Sequence, residues 1–433
     1  MESIEEIHKL IAELSFAIDV QLDVLRALEK RRSDARRALN SRLDPMARLP
    51  VEIASEIFIR CTPDSPSPVF MEEPLKLLHI CQLWREIAVS CPSLWTSIQI
   101  EPVRPPDPDL HKASWAWFER ARALPLSLSL HGSMAESAGA WLTHFAGKIA
   151  NLKLHIVDDS ELSVIEEKGP FPALQTMKIC SASVDDSENE NSYGFLFISS
   201  TLPILSAAPS LVECTFESVQ YLYPDDHSEP RMTHTSLQHL RLGIPSPGPF
   251  SFNSAGILLG LRLPALETLH LTDLDISPED LISFFADSGS ASSLQALHMD
   301  ISPVERSEWR LSTNLLNSCF RPLTALRTLE LFNGPERDYI ALLRVMRAQD
   351  FLPNLQRLLI HGHFDKPSNW KLLLDTIVAR GLRGRRSLCS VKVISVTVPT
   401  KTDLPLDVLE ALRELVKVEG MSIYVGTISR NFV

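Results

Sequence analysis

Residues 266–271 read LETLHL, and this six-residue grammar, apolar at its first, fourth and sixth positions, keeps returning between residues 149 and 393. It is carried by Ile149, Leu152 and Leu154, then by Leu174, Met177 and Ile179, then by Leu211, Cys214 and Phe216. Leu237, Leu240 and Leu242 follow, then Leu266, Leu269 and Leu271, then Leu294, Leu297 and Met299. The last three sets are Leu326, Leu329 and Leu331; Leu355, Leu358 and Ile360; and Leu388, Val391 and Val393. Successive starts lie 25, 37, 26, 29, 28, 32, 29 and 33 residues apart. Apolar residues at the fourth and sixth positions alternate as in a strand with one face buried.

Between these units, residues 278–286, 337–347 and 369–379 carry apolar residues at helical spacing. One strand and one helix per unit, stacked side by side, bury a continuous core that no single unit can bury. An apolar LxxLxL at such a period is the leucine-rich-repeat signature. Nine recurrences distinguish it from an ordinary α/β domain. The irregular spacing, and the lack of the asparagine that often follows the motif, predict a divergent solenoid over residues 124–433. Residues 183–192, 223–234 and 243–249 are polar, acidic or Pro/Gly-rich and read as projecting loops.

In each unit the fifth position projects away from the core. That column runs Lys153, Lys178, Thr215, Arg241, His270, His298, Glu330, Leu359 and Lys392. Its first six members are mostly basic in a chain of net charge −12. Lys153, Lys178, Arg241, His270 and His298 are therefore candidate target-binding residues, lining a stripe fit for an acidic or phosphorylated protein segment. Two histidines in the row predict tighter binding near pH 6 than near pH 8.

Upstream, prolines 102, 105, 106 and 108 mark residues 99–123 as a stiff linker followed by a helix. Residues 46–98 read as a small helical module. Leu49-Pro50 opens a helix in which Ile53, Ile57 and Phe58 repeat, and Leu75, Leu78, Cys81, Leu83, Trp84, Ile87 and Ala88 form a second run. Asp64-Ser65-Pro66-Ser67-Pro68 between them reads as an exposed loop. Residues 1–43 form one long helix, with Ile4, Ile7, Ile11, Leu14, Ile18, Leu25, Leu28, Ala35 and Leu39 on a heptad seam broken by Gln21 and Arg32. Asp44-Pro45 ends it. The seam suits either self-association through residues 1–42 or folding back on the same chain.

The 433 residues are 45% hydrophobic and 22% charged, enough for a packed core. A surplus of 54 acids over 42 bases makes nucleic acid an improbable partner. Arg262, Pro264 and Glu267 interrupt the most apolar stretch, so no membrane span is expected. The opening residues lack a signal-peptide pattern, and seven scattered cysteines form no CxxC pair. A cytoplasmic or nuclear location is the expectation. No P-loop, HExxH, GxSxG or GxGxxG occurs, so neither an enzyme nor a cofactor is expected. His361, His363 and Asp365 make only a weak metal set, and residues 380–386 (RGLRGRR) read as a solvated basic loop.

LPVEIASEIF at residues 49–58, followed by ICQLWREIAVSCPSLW at residues 80–95, resembles an F-box. With the preceding helix and WFERARALPLSLSL at residues 117–130, the chain is similar to the large F-box-like family of mushroom-forming fungi. The stretch 62–74 is longer than a compact F-box has there. The resemblance implies docking onto the Skp-type adaptor of a cullin–RING ubiquitin ligase through Leu49, Pro50, Ile53, Ile57, Phe58 and Trp84. It further implies a substrate-recognition subunit whose repeats hold an unknown protein target. The alternative from another class is a scaffold that joins partners through its repeats and coiled coil without any ligase.

Overall fold

The computed structural model describes residues 4–68, 72–100, 108–131, 142–156, 162, 165–167, 169–181, 195–217, 220–222, 231–243, 254–272, 278–301, 311–362, 364, 366–381, 388–395, 404–427 and 430–433. The fold is mixed helix and sheet, with a long N-terminal helix and a parallel sheet. The chain forms two compact units, one within Met1–Gln99 and Pro108–Leu124, the other within Pro125–Val433.

In the first unit, helix α1 covers Ile4–Leu43. It stops at Asp44, whose extended backbone precedes proline and whose Oδ1 accepts from the Met46 amide at 2.9 Å. A 3₁₀ turn, Pro45–Arg48, leads to α2 (Val51–Cys61). The short α3 (Leu77–Ile80) and α4 (Gln82–Ser90) follow, then strand β1 (Ser97–Ile100) and α5 (Pro108–Arg120). Aromatic residues hold this unit together. Phe58 meets Trp84 at 5.0 Å between ring centres, and Trp95 meets Trp117 edge-on at 5.1 Å. Each buried indole N–H has an acceptor: Trp95 donates to the Ala88 carbonyl at 2.8 Å and Trp117 to the Ser97 carbonyl at 3.0 Å.

Part of the segment expected to be an exposed loop is instead packed down. Pro66, Ser67 and Pro68 are buried, and the Gln99 amide of β1 donates to the Pro66 carbonyl at 2.8 Å. Proline rules out a helix there but leaves its carbonyl free to accept from a strand.

The second unit is built on a sheet whose strands follow chain order: β2 (Leu126–His131), β3 (Ile149–Ile156), β4 (Thr176–Ser181), β6 (Glu213–Glu217), β9 (His239–Leu242), β11 (Thr268–Leu271), β12 (Ala296–Asp300), β13 (Thr328–Phe332), β14 (Arg357–His361), β15 (Ser390–Ile394) and β16 (Ser422–Thr427). These strands run parallel; β17 (Arg430–Asn431) closes the edge antiparallel to β16. Small side sheets pair β5 (Phe195–Phe197) with β7 (Gln220–Leu222), and β8 (Met232–Thr233) with β10 (Leu261–Arg262).

Register explains the core. Leu152, Met177, Cys214, Leu240, Leu269, Leu297, Leu329, Leu358 and Val391 pair successively in one row, and each is no more than 2% exposed. The sixth-position residues make a second buried row two residues on. Each full burial of such a side chain stabilises by roughly 1.5–3 kcal/mol. The helices expected after β11, β13 and β14 are present as Pro278–Ser288, Glu336–Met346 and Pro367–Gly381. Helix Ile198–Ser206 fills the long gap before β6, and helix Leu406–Glu419, with strands β2 and β16, extends the pattern beyond the nine units read from the sequence. Of the three segments read as loops, residues 183–192 and 244–249 lie outside the described residues, as do 223–230. Residues 232–233 are strand, and His234 is buried, accepting from the Leu237 amide at 3.1 Å.

Arg380 corrects the reading of a solvated basic run. It is 6% exposed, and its guanidinium donates to the carbonyls of Met346 (2.9 Å), Leu352 (3.0 Å) and Phe351. Residues 382–386 of that run lie outside the described residues. Among the described residues, no helix is long and apolar enough to cross a membrane.

Candidate functional site

Two surfaces gather the candidate residues. The first lies on α2, where the helical period divides neighbours between core and solvent. Ala54 and Phe58 face inward, at 0% and 1% exposure. Leu49, Pro50, Val51, Ile53 and Ile57 lie outward, with Ile53 50% and Ile57 38% exposed. Four of the six expected adaptor contacts thus share an uncovered apolar strip. Phe58 does not: its ring is enclosed against Trp84, so it serves the core. Trp84 is half-buried, and its indole N–H donates to Asp44 Oδ2 at 2.7 Å. Asp44 therefore caps the 3₁₀ turn after α1 with one carboxylate oxygen and holds the α4 indole with the other. The sequence reading assigned Asp44 only a helix stop, because nothing local reveals a partner forty residues away.

The second surface is the face of the sheet opposite its leucine rows. Strand register sets Ser129, Lys153, Lys178, Thr215, Arg241, His270, His298, Glu330, Leu359, Lys392 and Tyr424 in one line, each paired with the next. The five candidate target-binding residues are therefore consecutive but for Thr215, on strands about 4.8 Å apart. Their environments differ sharply.

Lys153 is half-exposed and Arg241 exposed, and neither makes an ion pair among the described residues. Lys178 is bonded to Glu217 of the next strand, which also accepts from Cys180 Sγ at 3.4 Å. Burial and that carboxylate push the Cys180 thiol up to about 12, so it stays protonated. Arg241 and His270 border a cavity of about 160 Å³, together with Glu213, His239 and Thr268.

The histidines are engaged. His270 and His298 stack in parallel, 3.9 Å between centres and 4° between planes. Glu330 accepts from His298 Nδ1 at 2.5 Å and from His361 Nε2 at 2.9 Å. Burial alone would raise the Glu330 carboxyl. The two histidine hydrogen bonds and their charges outweigh it and hold it at about 2. Burial, then the charges of His298 and Arg241, lower His270 to about 4. His270 is consequently neutral at both pH 6 and pH 8, which corrects its expected share of a pH-dependent grip. A second stack, His131 on His155 at 3.7 Å, sits beside Lys153, and burial lowers His155 to about 4 as well.

The row is not the uniformly basic stripe read from the column. The exposed positive charge is concentrated in the span from Lys153 to Arg241, about 14 Å across three strand spacings. Glu217 and the link from Glu330 to His361 were missed, because they join residues 31 to 39 apart whose proximity only register reveals. His361 is held by Glu330; His363 and Asp365 of the weak metal set lie outside the described residues.

No family model matches the chain, and no curated protein does. Among solved structures, a protein from Bacteroides fragilis aligns at 16% identity with a TM-score of 0.35, covering 70% of this chain and 76% of that one. Nothing about fold or function follows from a likeness at that level.

Proposed function

We propose that this chain is a non-catalytic substrate-recognition subunit of an SCF-type ubiquitin ligase. In this reading the helical module is an F-box that docks a Skp-type adaptor through Leu49, Pro50, Ile53 and Ile57. The parallel sheet is a divergent leucine-rich-repeat solenoid that holds a target protein near Lys153, Lys178 and Arg241. Ubiquitin transfer then happens by proximity, with no chemistry on this chain. The observation that carries the reading is the apolar strip on α2, left uncovered while the aromatic core beneath it is complete. A folded module with its own core satisfied has no internal use for exposed Ile53 and Ile57, whereas an apolar partner surface does.

The test is capture of purified Skp-type adaptor by the full-length chain. Wild type is expected to bind, and Ile57→Asp to bind at least tenfold more weakly with an unchanged circular dichroism spectrum. Absence of adaptor binding by the wild type refutes the ligase reading and leaves the scaffold. Undiminished binding by a folded Ile57→Asp variant moves the docking surface elsewhere.

A further inference from the structure

Helix α1 is 40 residues long, and each of its described side chains is exposed. Its heptad seam is bare: Ile11 is 54%, Ile18 59% and Leu28 55% exposed. That outcome removes the fold-back reading for the described residues and leaves the seam uncovered. Its charges say what covers it. Residues 4–22 carry four acids against the single base Lys9, while residues 23–43 carry seven bases against Asp23, Glu29 and Asp34. The helix is acidic at one end and basic at the other, so a second copy complements it only when reversed.

We propose that α1 pairs with α1 of a second copy as an antiparallel coiled coil. Core layers match the fourth heptad position of one helix with the first of the other. With residue numbers in each layer summing to 46, Ile18 meets Leu28, Ile7 meets Leu39 and Ile11 meets Ala35 of the second copy. The two polar interruptions then find apolar neighbours in place of themselves: Gln21 meets Leu25, and Arg32 meets Leu14 along its aliphatic stem. Flanking the seam, Leu22 and Val24 fall at the dyad and pair with their own copies, which accounts for the stripe being widest there. A parallel pair fails on the same residues. It would set Arg32 against Arg32 and Arg31 against Arg36 on both sides, massing like charges within one turn of an apolar seam. Reversal sets Arg31 against Ala17 and Arg36 against His8. At 1.5 Å per residue the rod is about 60 Å long, so the modules following Leu43 leave from opposite ends. Two target-holding chains in one assembly gain avidity for a multivalent target.

The test uses the full chain. Light scattering at tens of micromolar is expected to give a dimer, and Leu14→Asp/Leu25→Asp a monomer. Strand direction is read on otherwise wild-type helices, in a Cys61→Ser/Cys389→Ser background with Lys9→Cys carrying a spin label. Antiparallel pairing puts the two labels about 42 Å apart, from 28 residues at 1.5 Å each, and parallel pairing within about 20 Å. A long distance supports the proposal. A monomeric wild type, a short distance, or an assembly giving both distances overturns it.

Discussion

Arg380 is where one side chain determines the most local structure. Its three donors end on three carbonyls, one belonging to Leu352, a non-glycine residue at φ +47°. The left-handed region is costly for such a residue, so the guanidinium holds a turn that the chain would otherwise resist. Hydrogen bonds to a charged donor are worth about 1.5–3 kcal/mol, and carbonyls left bare in the interior carry a further cost. Arg380→Met is expected to lower stability by about 3–5 kcal/mol in urea denaturation. Arg380→Lys recovers only part of this, because a point-charge ammonium cannot span the fork. Acid sensitivity also belongs to single residues. His155 and His270 titrate near 4 in the fold against about 6.5 when unfolded. The unfolded chain therefore binds more protons between those values, and stability present above pH 6.5 is lost as the pH falls toward 4. Glu330, held near 2, extends the loss below its unfolded value of about 4.3. Urea midpoints measured from pH 7.5 to 3.5 should fall throughout. The His270→Asn variant should fall less steeply between 6.5 and 4; an identical slope would remove His270 as a source.

At the scale of one element, α2 makes adjacent residues behave oppositely. Phe58→Ala removes a ring that is 1% exposed and packed on Trp84, for which about 3–5 kcal/mol is expected. Ile57→Ala, 38% exposed, should change the thermal midpoint by no more than a degree or two while weakening adaptor capture. Thermal melts of the two variants, read beside the pull-down, separate core from surface. The sequence placed both residues on one docking surface because their apolar character is identical, and a helix only eleven residues long leaves several apolar faces open. Strand register was far more legible. The fixed offsets among Leu266, Leu269 and Leu271 and their counterparts leave a single in-register stacking, since a one-residue slip would turn every leucine to solvent. What the grammar did not contain was lateral pairing. Glu217 is unremarkable in sequence until register brings its strand beside Lys178, and the same holds for Glu330 with His361. Strand β16 was missed because Gly420 stands where a leucine opens the other units, although Ile423 and Val425 keep the alternation.

For the whole molecule, an excess of twelve negative charges repels an acidic partner at long range, and only local positive potential can reverse that. The row on the sheet supplies it over a short span. Lys178 is partly neutralised by Glu217, and the histidine end is closed by Glu330, so Lys153 and Arg241 carry most of the positive charge that the proposed target would meet. About 14 Å between them matches an extended segment of some four residues at ~3.3 Å each, enough for two acidic or phosphorylated side chains. Lys153→Glu/Arg241→Glu is therefore expected to weaken capture of a co-purifying target at least tenfold at 50 mM salt. Both residues are solvent-accessible, so the thermal midpoint should stay nearly unchanged. Wild-type capture should itself decline steeply between 50 and 300 mM salt, as screening shortens the reach of two exposed cations, whereas the double variant should be almost indifferent to salt. Lys178→Glu, in contrast, sets two carboxylates against each other at Glu217 and should cost stability before it costs binding. Full-strength, salt-independent capture by the double variant would mean that the target is held away from this face, leaving the row a structural ladder of cross-strand pairs.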